Sequence, residues 1–422
     1  MFYVKKLLIQ GGEPLHGEIA VQGAKNSALP LLAATILGGG ESILHNCPDL
    51  SDVHAACEIL SYLGCSLHRE KDTMYVDTSV LTHAEIPEDL MGEMRSSIMF
   101  LGAMLGRIGR ARISFPGGCE LGPRPIDLHL SALRQLGVEI QEDHGFLDCS
   151  VPNGLHGARI TLSFPSVGAT ENIMLAAVVA QGETIITNAA QEPEIVDLAE
   201  FLRACGAKIR GAGESVIIIE GTDSLHGSEY TVIPDRIVAA TYLCAAAATG
   251  GELLLNRANP QHLGGMLGML EEAGCRTIAG GSSIYIRGRS RLRPFKHVRT
   301  MPYPGFPTDA QALFMAVSTI ADGTSVFVEN IFSNRYKHVD ELVKMGANIK
   351  VEGKVAVVEG VHHISGASVR ATDLRGGAAL VIAGLVANGE TSLGDIYHID
   401  RGYESIERNL SGLGAKIRRE ER

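Results

Sequence analysis

Of the chain's eight cysteines, Cys119 stands in a run of prolines and glycines, Phe115-Pro116-Gly117-Gly118-Cys119-Glu120-Leu121-Gly122-Pro123, with neither helical nor strand periodicity. Most of the others sit in apolar periodic segments, where a free thiol behaves as a small hydrophobe. A thiol of ordinary pKa, about 8.5, is mostly protonated at neutral pH and becomes a nucleophile once ionised. Cys119 therefore suits either proton donation to carbon or addition to it; a solvent-facing loop cysteine without a role has the same composition. Asp309, after Phe306-Pro307-Thr308, stands at the entrance of an apolar helical segment, as a cap or as a general base. Lys25 with Asn26, and Arg375, open two further apolar segments. Helix starts present unpaired N–H groups and favour anions. The run Ser166-Val167-Gly168 leads into the apolar stretch 172–180, and its small residues either let backbone amides approach a phosphate or only cap the helix.

The bulk properties narrow the field. A net charge of -11, no tryptophan and 5% aromatics argue against nucleic acid as a partner, so an anionic substrate needs a local basic cluster. No CxxC pair, HExxH or GxxxxGK[ST] run appears, which predicts neither a metal nor a nucleotide-hydrolysing loop, and no cofactor is expected. The longest apolar stretches, such as 378–387, fall short of a membrane span, and the first residues lack the apolar core of a signal peptide. A soluble cytoplasmic protein with reduced cysteines is expected. The sequence carries no marker of oligomeric state.

These residues must be positioned by something, and the chain repeats itself. Leu63-Gly64-Cys65, Leu136-Gly137-Val138, Cys205-Gly206-Ala207, Ala273-Gly274-Cys275, Met345-Gly346-Ala347 and Leu413-Gly414-Ala415 each end a helical pattern and open a strand. The glycines are 73, 69, 68, 72 and 68 residues apart, which gives six copies of one unit. In the first copy the pattern predicts a strand over 18–21, a wholly apolar helix over 25–37, a strand over 42–45, an amphipathic helix ending at Gly64, and strands over 66–69 and 74–76. The unit is βαβαββ. A helix apolar on every face must be buried on every face, so copies have to pack together, and six divide most simply into two domains of three. The segment before the first copy is long enough to serve the later half. The expected domains are 24–232, and 1–23 joined with 233–422.

Ten short motifs, in order along the whole chain, resemble the UDP-N-acetylglucosamine 1-carboxyvinyltransferase family. They are Gly23-Ala24-Lys25-Asn26, Met94-Arg95-Ser96-Ser97, Pro116-Gly117-Gly118-Cys119, Arg124-Pro125-Ile126-Asp127-Leu128-His129, Ser166-Val167-Gly168-Ala169-Thr170, Glu192-Pro193-Glu194-Ile195-Val196-Asp197, Phe306-Pro307-Thr308-Asp309, Asn334-Arg335, Ala371-Thr372-Asp373-Leu374-Arg375 and Asp400-Arg401-Gly402-Tyr403-Glu404. The resemblance implies an α/β fold of two inverse α/β-barrel, prism-like domains, each with three βαβαββ repeats around buried helices and the active site in the interdomain cleft. It implies transfer of the enolpyruvyl group of phosphoenolpyruvate to the 3-hydroxyl of UDP-N-acetylglucosamine with release of phosphate, the first committed step of peptidoglycan synthesis.

By the same resemblance Cys119, Asp309, Lys25 and Arg401 are catalytic, with Asp309 taking the proton of the sugar hydroxyl. Lys25, Arg124, Arg335, Arg375 and Arg401 surround the phosphoenolpyruvate charges, with Arg95 beside them. Asn26, Pro125, Ile126, Asp127, Leu128, Ser166, Val167, Gly168, Ile331 and Asp373 complete the substrate contacts, with Arg124, Pro125 and Leu128 at the uracil and the Ser166 run at the diphosphate. Where the family often has a lysine, this chain has Phe164, which shifts diphosphate binding toward the backbone amides of 166–168. A shikimate-pathway enolpyruvyl transferase and a noncatalytic UDP-sugar sensor are the other readings; Cys119 with the Ser166 run disfavours the first, and the set Lys25, Cys119, Asp309 and Arg401 the second.

A phosphonate epoxide such as fosfomycin, which inhibits the family, should alkylate Cys119 and none of the other cysteines, and faster with UDP-N-acetylglucosamine present. Peptide mass spectrometry checks this; labelling spread over several cysteines, or a rate indifferent to the sugar nucleotide, contradicts it.

Overall fold

The computed structural model describes residues 5–117 and 126–421. Six helices rich in alanine, leucine and valine are buried around most of their circumference: α1 (Lys25–Gly38), α2 (Met99–Ile108), α3 (Val167–Ala177), α4 (Arg236–Thr249), α5 (Thr308–Ser318) and α6 (Leu374–Val386). In α1 every residue from Ser27 to Leu37 is buried, and in α6 every residue from Arg375 to Leu385. Such helices can exist in water only inside a shell. The chain supplies it by forming two compact units, residues 23–233 and residues up to 22 together with 234–422. Helices α1, α2 and α3 pack together in the first, and α4, α5 and α6 in the second, each trio at the centre of its own hydrophobic core.

Three four-stranded sheets belong to each unit, all with one plan. A short edge strand runs parallel to its neighbour, and two antiparallel strands follow; Arg159–Thr161, Glu183–Thr187, Val216–Glu220 and Lys208–Arg210 are one such set. Burial alternates along the strands, as in Val216–Glu220, where Ile217 and Ile219 point inward. The expectation that a strand over 18–21 belongs to the first copy's sheet is corrected. The strand is His16–Ala20, and it runs parallel to Glu252–Asn256 in the fourth copy's sheet. The first copy's sheet takes Glu229–Thr231 instead, parallel to Glu41–His45. His16–Ala20 ends before Gln22, the last residue of its own unit's first segment, so it pairs within that unit. Lys5–Gln10 fills the middle of the sixth sheet, antiparallel to both Glu390–Gly394 and Lys416–Glu421.

The repeated glycine has one geometry in all six copies. Gly64, Gly137, Gly206, Gly274, Gly346 and Gly414 have φ of 105°, 94°, 102°, 104°, 96° and 98°. Each donates its N–H to the carbonyl three residues back, and the next residue donates to the carbonyl five residues back, as in Gly64 N to Ser61 O (3.1 Å) and Cys65 N to Leu60 O (3.0 Å). This is the Schellman closure of a helix, which needs a left-handed residue. The carbonyl five residues back always belongs to a buried leucine: Leu60, Leu133, Leu202, Leu270, Leu342 or Leu410. The phrase is thus a helix stop with a hydrophobic clasp.

At Gly346 no atom lies within 4 Å of where a Cβ would be, whereas at Gly64 the Thr82 hydroxyl oxygen lies 2.7 Å from it. Gly346→Ala should therefore cost backbone strain alone, about 1–2 kcal/mol in urea denaturation, and Gly64→Ala more.

Candidate functional site

Asp309 stands in the first turn of α5, whose N-cap residue is Pro307. Its carboxylate lies between two arginines. Oδ1 accepts from Arg335 Nη2 at 2.9 Å and Oδ2 from Arg375 Nη2 at 3.1 Å. Both guanidiniums are buried, with 2% and 4% of the side chain exposed, while Asp309 keeps 27%. Arg335 is fixed further by donating Nε and Nη2 to the Thr308 carbonyl at 3.2 and 2.9 Å. Arg375 meets the Tyr403 hydroxyl at 3.5 Å, and that hydroxyl shares a 2.8 Å hydrogen bond with Thr241. Burial disfavours the Arg375 charge, yet the Asp309 carboxylate and its neighbours outweigh this and hold the guanidinium more firmly protonated than usual. The result is an oriented carboxylate that keeps part of its surface exposed.

The flanking loops are held by specific bonds. Asp373 caps α6, its Oδ1 accepting from Arg375 N and Gly376 N at 3.0 Å each. Burial pushes its carboxyl up, but the Arg335 charge, these amides and His338 together bring it below the ordinary value. Arg401 closes the short helix Tyr397–Asp400. That turn is fixed by Arg419, which grips Asp400 with both arms at 2.9 and 2.7 Å and Glu407 at 3.1 Å. Gln22 brackets the following loop, donating to Gly402 O at 3.3 Å and accepting from Glu404 N at 2.9 Å. Ile331 lies in a turn whose amides reach the buried Glu329 carboxylate.

In the other unit Lys25 is the first residue of α1, and its Nζ donates to Asp52 at 3.0 Å. Gly23 is required just before it, because a Cβ there would lie 1.8 Å from the Asn46 carbonyl oxygen. Asn26 follows Lys25 in the same first turn. Arg95 opens a short 3-10 turn pinned by the Ser97 hydroxyl, which donates to Met91 O and Met94 O at 2.9 Å. The stem of the cysteine loop docks beside it. Gly117 N donates to Met91 O at 3.2 Å, and a Cβ on Gly117 would lie 2.4 Å from Gly92 O. Cys119, Arg124 and Pro125 lie outside the described residues. Ile126 is buried at the start of the helix Asp127–Gln135, with Asp127 exposed and Leu128 half-buried.

Ser166 caps α3, its hydroxyl accepting from Ala169 N at 3.3 Å. By helix geometry the amides of Val167 and Gly168 have no acceptor within the helix. Gly168 sits 3.0 Å, at its would-be Cβ, from the end of Met99 and 3.2 Å from His129. Burial first, and the Arg95 charge second, push His129 down to about 3, so it is neutral. Its Nδ1 pairs with Asn172 Nδ2 at 3.1 Å, and Asn172 Oδ1 accepts from Gly102 N at 2.7 Å, tying α2 to α3. Buried acids lie on α3 and on the helix Pro193–Ala204. Burial, then Glu194 and Glu192, push Glu171 well above the carboxylate range. Burial raises Asp197 to about 6, although Tyr230 donates to it at 2.7 Å.

The structure therefore brings Asp309, Arg335, Arg375 and Asp373 together, and separately sets Lys25 and the Ser166 run at helix starts. Sequence reasoning missed Glu329, Gln22, Thr241 and Arg419. No motif marks them, since each has at least one partner outside its own segment; Gln22 and Glu404 are 382 residues apart, and Glu329 reaches Thr308 across 21. Among the described residues no group of histidine, cysteine and acidic side chains could hold a metal, and no helix is long and apolar enough to cross a membrane.

The chain matches the EPSP synthase (3-phosphoshikimate 1-carboxyvinyltransferase) family over residues 9–410. It is 54% identical, across 98% of its length and 99% of the relative's, to UDP-N-acetylglucosamine 1-carboxyvinyltransferase 2 of Caldanaerobacter subterraneus subsp. tengcongensis. It is 49% identical, across 99% of both chains, to UDP-N-acetylglucosamine 1-carboxyvinyltransferase 2 of Carboxydothermus hydrogenoformans. Among solved structures, the enolpyruvyl transferase NikO from Streptomyces tendae matches at a TM-score of 0.90 with 28% identity over 100% of both chains. EPSP synthase from Acinetobacter baumannii, at 0.77 and 21% identity over 99% of this chain and 100% of that one, shares the fold.

The raised Asp197 means that the folded protein binds its proton more tightly than the unfolded chain does. Stability from this group is therefore full below the ordinary aspartate value of 3.8 and is lost as pH climbs through about 6. The difference in urea midpoint between the native protein and Asp197→Asn should fall between about pH 4 and pH 6 and level off above.

Proposed function

The chain belongs to the EPSP synthase family and, within it, to the UDP-N-acetylglucosamine 1-carboxyvinyltransferases, and we propose that it transfers the enolpyruvyl group of phosphoenolpyruvate to the 3-hydroxyl of UDP-N-acetylglucosamine, releasing phosphate. The observation that carries this reading is identity near one half sustained over essentially the whole chain. The site chemistry agrees with it. The sugar oxygen adds to the phosphate-bearing carbon while a proton goes to the methylene carbon; the carbon–oxygen bond to phosphate then breaks, a methyl proton leaves, and the double bond returns.

In this reading Asp309 accepts the proton of the sugar hydroxyl, its orientation set by the two arginines, and Cys119 serves the carbon end. Lys25, Arg124 and Arg401 hold the carboxylate and phosphate of phosphoenolpyruvate, joined by Arg335 and Arg375 through the positive field of the clamp, with Arg95 near them. The Ser166-Val167-Gly168 run takes the diphosphate through the amides of Val167 and Gly168, since Ser166 N already donates to Phe164 O at 2.7 Å and the capping hydroxyl engages Ala169 N. Asn26, Pro125, Ile126, Asp127, Leu128, Ile331 and Asp373 complete the sugar-nucleotide contacts. The reaction is the first committed step of peptidoglycan synthesis and so belongs to cell-wall formation in the cytoplasm.

Phosphate release from phosphoenolpyruvate should occur with UDP-N-acetylglucosamine and not with shikimate 3-phosphate. Equal or preferential turnover of the second acceptor would reverse the assignment.

A further inference from the structure

Glu329 belongs to none of the motifs, yet it joins the two segments that flank Asp309. It follows the strand Thr324–Val328 and is 2% exposed. Its Oε1 accepts from Ile331 N at 2.8 Å and from Phe332 N at 3.0 Å. Its Oε2 accepts from the Thr308 hydroxyl at 3.0 Å, across 21 residues of chain. The backbone N–H of Glu329 donates to Lys354 O at 2.9 Å, so the residue is held at both ends. Thr308 in turn gives its carbonyl to Arg335, and Arg335 donates to Asp309.

We propose that Glu329 is a positioning residue for sugar-nucleotide binding and proton transfer, fixing Thr308–Asp309 and the Ile331 turn relative to one another. The inference rests on the transferase reading above. Glu329 acts only through other groups. Without its carboxylate, two amides and a hydroxyl of half-buried residues lose their shared acceptor, and with it the tie between the turn and Thr308. Displacements of about 1 Å remote from the chemistry are enough to slow an enzyme about 100-fold. The Oε1 atom carries both amides and Oε2 only the hydroxyl, so a glutamine at this place keeps the turn and changes one bond.

The test uses the full-length protein with Glu329→Ala, Glu329→Gln and Thr308→Val, measuring phosphate release with each substrate varied, together with thermal melting. For Glu329→Ala we expect KM for UDP-N-acetylglucosamine to rise and kcat to fall, each roughly 10-fold or more, while KM for phosphoenolpyruvate moves less than about 3-fold. Glu329→Gln should keep kcat and both KM values within about 3-fold of the native protein. A purely structural role would lower the melting temperature and leave this split absent. Native kinetics in Glu329→Ala, or equal shifts of both KM values, overturns the proposal. If Glu329→Ala does not fold, Thr308→Val should still raise KM for the sugar nucleotide selectively, and native values there overturn it equally. Absence of phosphate release by the unmutated protein would instead sink the transferase reading, a result distinct from a normal native enzyme with an indifferent Glu329.

Discussion

A helix with apolar residues on every face has no surface to offer water, and six such helices set the conditions for everything else in this chain. Each must be wrapped by two companions and by sheets, which is why one βαβαββ plan recurs and why each sheet turns only alternate residues inward. The ends of the helices are different. A buried helix can hide its sides, but its first turn still presents N–H groups that its own carbonyls cannot reach. Chemistry can be placed there at little cost to the core.

The six starts are treated in two ways. Ser166, Asp235 and Asp373 cap α3, α4 and α6 with their own side chains. Helices α1, α2 and α5 have no such cap; α2 continues directly from the turn that Arg95 opens, and α1 and α5 begin with Lys25 and with Thr308-Asp309. The N-cap residues of these last two, Ala24 and Pro307, have no side chain that could accept an N–H, and the charged side chains of the first turn reach sideways, Lys25 to Asp52 and Asp309 to Arg335 and Arg375. A buried ion pair of this kind is a poor source of stability, because desolvation consumes most of the attraction. Its value here is geometric: two rigid forks fix both oxygens of one carboxylate.

Much of the architecture was legible because it is local. The glycine phrase encodes a helix stop within six residues, and apolar runs declare burial without reference to any partner. Long-range pairing left no such mark. Nothing in residues 16–20 says that they will lie beside 252–256, so the first copy was given a strand that the fourth copy owns. Asp309 shows the same limit at the site. Its position alone reads as a cap, since its true partners are 26 and 66 residues away, and Glu329 was invisible for the same reason. The resemblance supplied residue identities but not the arrangement in which Arg335 and Arg375 grip the carboxylate rather than stand open.

The pairing of the first strands with the last also orders events on the ribosome. Residues 23–233 contain all the strands of their own sheets and can close as soon as Glu229–Thr231 has emerged. Lys5–Gln10 is synthesised before all of its partners, which extend to Glu421. At translation rates of about 5–20 residues per second, that strand waits roughly 20–80 s with its hydrogen-bonding edges unfilled. A strand made long before its partners is thus among the last to be folded, and until then its open edges expose the newborn polypeptide, more than the finished protein, to its neighbours.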